Sequence, residues 1–79
     1  MDAAAIAAGW DLVKALGSDR ARTLLEVLEL PDDERWAFIS RRYVRDDGEW
    51  LAEVLADVEQ DLTGKTRERL IAGLHASLD

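Results

Sequence analysis

The sequence predicts an all-α fold, a compact bundle of four to five short amphipathic helices that forms a single domain over residues 1–79. Three observations carry that expectation. Leu, Ile, Val and Ala recur three and four residues apart along most of the chain, the spacing that lines one side of a helix. Helix-ending residues (Gly17, Pro31, the run Asp46-Asp47-Gly48 and the pair Thr63-Gly64) cut the chain into stretches of helix length. A hydrophobic share of 48% suffices for a packed core despite 34% charged residues, which argues against disorder. A chain of 79 residues buries only about 60% of its unfolded surface, so its stability is expected to be modest unless copies associate.

The first helix is expected from about Ala3 to Leu16, with Ile6, Trp10, Val13 and Leu16 on its apolar face and Gly17 ending it. Ser18 or Asp19 suits the cap of a second helix. There Ala21, Leu24, Leu25 and Leu28 form the buried stripe, and Arg22 with Glu26 makes an outward pair worth a few tenths of a kcal/mol. Pro31 stops that helix and suits the first turn of a third, where Asp32, Asp33 and Glu34 face the positive end of the helix dipole.

In the third helix, from Asp33 to Val44, a turn of about 100° per residue puts Trp36, Ile39 and Tyr43 on one side, as a core stripe. Arg35, Arg41, Arg42 and Arg45 fall on roughly the opposite side with Phe38 among them, an aromatic that the apolar stripe does not claim. Two readings stay open for it: a contact surface for a partner, or packing against another part of the same domain. A fourth helix from about Gly48 to Leu62 buries Leu51, Val54, Leu55, Val58 and Leu62, and carries Glu49, Glu53 and Asp57 as an acidic ladder on its other side. The fifth, about Lys65 to Leu78, buries Leu70, Ile71, Leu74 and Leu78. All three tryptophans, Trp10, Trp36 and Trp50, are expected in or near the core.

A net charge of −7 repels nucleic acid and anionic membrane, so only a local basic patch could bind either. With no cysteine there is no disulfide, thiolate metal site or Cys nucleophile. The opening MDAAAIAAGW lacks a basic flank and is too short to span a bilayer, which predicts a cytoplasmic protein with no membrane partner.

No motif carries chemistry. Gly64-Lys65-Thr66 would need a glycine where the chain has Glu59 to form a phosphate-binding loop. His75 has no carboxylate three residues before it, where Ala72 stands, and reads as a half-buried boundary residue. Neither a cofactor nor a metal is expected. The stretch Leu16-Gly17-Ser18-Asp19-Arg20 is similar to the LGxDS segment of acyl carrier proteins, but Arg20 occupies the place of the serine that bears their prosthetic arm.

The expected function is therefore a non-enzymatic protein–protein interaction module, a small regulator, adaptor, inhibitor or accessory subunit. Arg and aromatics are enriched at binding hot spots, which nominates Phe38, Arg41, Arg42 and Arg45 as the partner-binding residues. Self-association through the same face, giving a homo-oligomer, is a version of this expectation. The order of Leu30-Pro31, Glu34-Arg35, Arg42-Tyr43-Val44, Leu51-Ala52-Glu53-Val54, Arg67 and Arg69-Leu70 resembles region 4 of bacterial sigma factors, over some fifty residues. That resemblance implies the alternative, a helix-turn-helix DNA-binding regulator with Lys65, Arg67 and Arg69 facing the duplex. The chain departs from the pattern where a turn should follow Ala52, because its apolar stripe runs on through Val58 to Leu62.

Overall fold

The structure, a computed structural model, describes residues 3–43, 49–60 and 64–78. They form an all-α bundle of five short helices: α1 (Ala3–Leu16), α2 (Ser18–Glu29), α3 (Asp32–Tyr43), α4 (Glu49–Glu59) and α5 (Lys65–Leu78). The radius of gyration is 12.0 Å, that of a well-packed chain of this length. No described helix is long and apolar enough to cross a membrane.

The joints follow from local chemistry. Gly17 takes φ +86°, a conformation that only glycine adopts cheaply, and both ends α1 and begins α2. Its amide donates to Val13 O at 2.8 Å, while its carbonyl accepts from the Ala21 amide at 3.0 Å. Ser18 is already helical, so the side-chain cap expected at Ser18 or Asp19 is replaced by a glycine that offers no side-chain bond. At the next joint the Leu30 amide closes on Val27 O, and Pro31 O accepts from the Arg35 amide as the start of α3.

Helix α2 is the centre of the core. Ala21, Leu24, Val27 and Leu28 are sealed from solvent and meet Ile39, Leu51, Leu55, Val58 and Leu74 from three other helices. Fully burying each of the larger side chains is worth about 1.5–3 kcal/mol. Of the stripe expected in α4, Leu51, Leu55 and Val58 are buried and Val54 is half-buried, while Leu62 lies outside the described residues; Glu49, Glu53 and Asp57 are exposed.

Helices α1 and α5 cross with their backbones in contact. A Cβ added to Gly9 would land on the Gly73 carbonyl, and one added to Gly73 would land on the Ala5 carbonyl and 3.1 Å from the Gly9 amide nitrogen. Ala5, Gly9 and Gly73 are accordingly all buried. This crossing corrects the expectation for Trp10. Because α1 turns its smallest residues toward α5, Trp10, one residue and about 100° beyond Gly9, is left 48% exposed.

Trp36 is a second correction, at 51% exposure. Only Trp50 packs against the core, with the Arg20 guanidinium 5.5 Å above its ring centre in cation–π range.

Candidate interaction surface

Helix α3 is turned by roughly 80° from the orientation its apolar residues predict. Arg35, Phe38 and Ile39 form its inward stripe: Arg35 and Ile39 are buried, and Phe38 is half-buried against the core cluster. The cause lies at the end of α2, whose last carbonyls have no partner within the helix. Arg35 Nη2 reaches Leu30 O at 3.5 Å and pairs with the Asp32 carboxylate. Arg67, from α5, donates through Nε to Leu28 O at 2.7 Å and through Nη2 to Leu30 O at 3.2 Å. Two guanidinium groups thus close one helix terminus and tie α2, α3 and α5 together. A third does the same for α5: Arg22 Nη2 donates to Leu78 O at 3.2 Å, rather than serving only its own helix as the spacing to Glu26 suggests.

This geometry redistributes the residues singled out by sequence. Arg35 leaves the exposed Arg arc altogether and becomes the buried charge of the α2–α3 joint, 4% exposed with its Nε unpaired. Arg41 stands on the solvent side. Arg42 belongs to α3, but its side chain, like Arg45 as a whole, lies outside the described residues. Among the described side chains, the solvent face of α3 consists of Asp32, Asp33, Glu34, Trp36, Ala37, Ser40 and Arg41. Its aromatic is Trp36, whereas Phe38 packs inward.

Around the fifth helix, Lys65 and Arg69 are exposed while Arg67 is committed to α2, which takes one cation from the basic footprint that the DNA-binding reading needs. A groove between α1 and α5, lined by Ala4, Ala5, Ala8, Thr66, Arg69 and Leu70, has mainly methyl groups on its α1 wall. His75 is half-buried and faces Glu29 across the α2–α5 contact, Nε2 to Oε1 3.4 Å. Among the described residues no group of three or more His, Asp or Glu side chains converges as metal ligands would.

The loss of the Arg35-centred arc could not be read from spacing, because Arg35 answers to carbonyls presented by a different helix. One signal did exist in the sequence. Arg35 follows Asp32 by three residues in the first turn, a spacing at which the two side chains meet.

The chain matches no protein-family model, no curated protein and no solved structure.

Proposed function

We propose that this chain is a non-enzymatic protein-interaction module, a small regulator, adaptor, inhibitor or accessory subunit, that docks through the solvent face of α3. The observation that carries this reading is Trp36, a large aromatic half in water on the same solvent face as Ala37, Ser40 and Arg41, in a bundle that has apolar space for its leucines. Exposing an indole forfeits burial free energy, and Trp and Arg are the side chains that most often anchor interfaces. In this reading Arg41 is the partner-binding cation of the face, Trp36 takes the anchoring place first assigned to Phe38, and the Arg42 side chain and Arg45 lie outside the described residues.

The test compares the wild type with Trp36→Ala and Arg41→Glu as immobilised baits for proteins of the source cell, with folding checked by circular dichroism. Both variants are expected to keep the helical signal and lose a partner that the wild type retains. Retention of every captured protein by both would remove α3 from consideration. Salt-sensitive binding of duplex DNA that weakens on Lys65→Ala and Arg69→Ala would instead favour the DNA-binding alternative.

A further inference from the structure

We propose that the partner fitted by the solvent face of α3 is a second copy of this chain, in an antiparallel α3–α3 pairing about a twofold axis near the middle of the helix. This rests on α3 being a docking face and adds the identity of what docks there. The charges along the face are segregated: Asp33 and Glu34 sit in the first turn and Arg41 in the last. Glu34 and Arg41 are seven residues apart, hence on the same side of the helix and about 10 Å apart along it, too far to pair within one chain. An antiparallel partner reverses that order. With the axis at the level between Ala37 and Phe38, Glu34 of one copy lies level with Arg41 of the other, and the pair forms twice because an isologous contact repeats every interaction.

The apolar residues suit the same arrangement. Ala37 is exposed near the middle of α3 and is small, so the two helices can approach to the 8–10 Å of ordinary helix packing. A perpendicular twofold keeps each flank of one helix beside the same flank of the other. The two Trp36 side chains therefore lie next to each other on one flank, and the two Glu34–Arg41 pairs lie on the other. The pairing covers an indole that the monomer leaves 51% exposed. Antiparallel alignment also sets the two helix dipoles head to tail. No other partner is required to supply the complementary charge, since each copy carries both signs in the needed order.

The experiment is sedimentation equilibrium of the full chain over a wide concentration range, at about 0.15 M ionic strength so that repulsion between two molecules of net charge −7 is screened. The wild type is expected to dimerise, and Glu34→Arg and Arg41→Glu each to weaken dimerisation at least tenfold. Mixing these two variants is expected to restore it: one chain then presents Arg at both positions and the other Glu at both, so both cross-pairs are again complementary. This complementation separates an α3–α3 contact from a variant that fails to fold. A wild type that stays monomeric throughout, or a mixture that stays as monomeric as its components, overturns the pairing. Capture of a different protein that depends on Trp36 would still leave α3 as a docking face.

Discussion

At the scale of single residues, the side chains that matter most are arginines acting on backbone carbonyls. Arg35 is buried while its partner Asp32 is 85% exposed, so the two ends of that ion pair are unequal in what their loss does. Removing Asp32 strands a guanidinium in the interior; removing Arg35 leaves a carboxylate in water. Asp32→Ala is therefore expected to cost about 1–2 kcal/mol, and Arg35→Met, which fills the same space without a charge, distinctly less. Urea denaturation of the two variants, with Asp33→Ala as a control for the helix dipole, checks the order. Arg67→Met removes both donors to the end of α2 and is expected to cost about 1–3 kcal/mol. If Arg67 instead faced DNA, that substitution would leave the urea midpoint unchanged. Trp36→Ala, by contrast, is expected to change stability by less than about 1 kcal/mol, because the indole is half in water already.

Among the elements, the α1–α5 crossing is the most constrained. Alanine normally favours a helix over glycine by about 1 kcal/mol, so an exposed helical glycine gains from the exchange. At Gly73 the sign reverses. The added methyl would occupy the Ala5 carbonyl, a backbone atom that cannot rotate away, and Gly73→Ala is expected to destabilise by about 2–3 kcal/mol or more. Gly17→Ala fails for a different reason, since nothing lies near its Cβ and only its backbone conformation, φ +86° with ψ 159°, penalises it, by about 1–3 kcal/mol. Thermal unfolding of both variants is expected at lower temperature than that of the wild type. The rotation of α3 belongs to the same scale. A helix whose apolar residues are scattered, as in Trp36, Phe38 and Ile39, can bury either of two overlapping stripes, and contacts from α2 and α4 choose between them.

For the molecule as a whole, 79 residues support only about 4–12 kcal/mol of stability, so a contact between copies would be a substantial addition. Linkage then makes the unfolding temperature rise with protein concentration. That rise is expected in the wild type and should be absent in Arg41→Glu, a scanning-calorimetry check independent of sedimentation. Leu28→Ala, at the sealed centre of α2, is expected to cost about 2–5 kcal/mol and to lower the unfolding temperature at every concentration.

What the sequence by itself determined was the fold class, the five helices in order and most of their bounds. Apolar spacing and the breakers at Gly17, Pro31 and Gly64 are local properties, fixed by helix periodicity and by which residues tolerate a turn. Helices α2 and α4 were legible in most of their core residues because each carries one continuous apolar stripe, although in α2 the sealed position is Val27 and the expected Leu25 is only partly buried. Only the tertiary structure decided which way α1 and α3 face. Trp10 stays outside because Gly9 and Gly73 let two backbones touch, and Arg35 goes inside because the end of α2 presents carbonyls that need donors. Each cause needs a second helix: Gly9 meets Gly73 of α5, and Arg35 meets the Leu30 carbonyl at the end of α2. Hydrophobicity ranks a tryptophan ahead of a glycine or an arginine for burial, but a close crossing selects for smallness and an open helix end selects for hydrogen-bond donors.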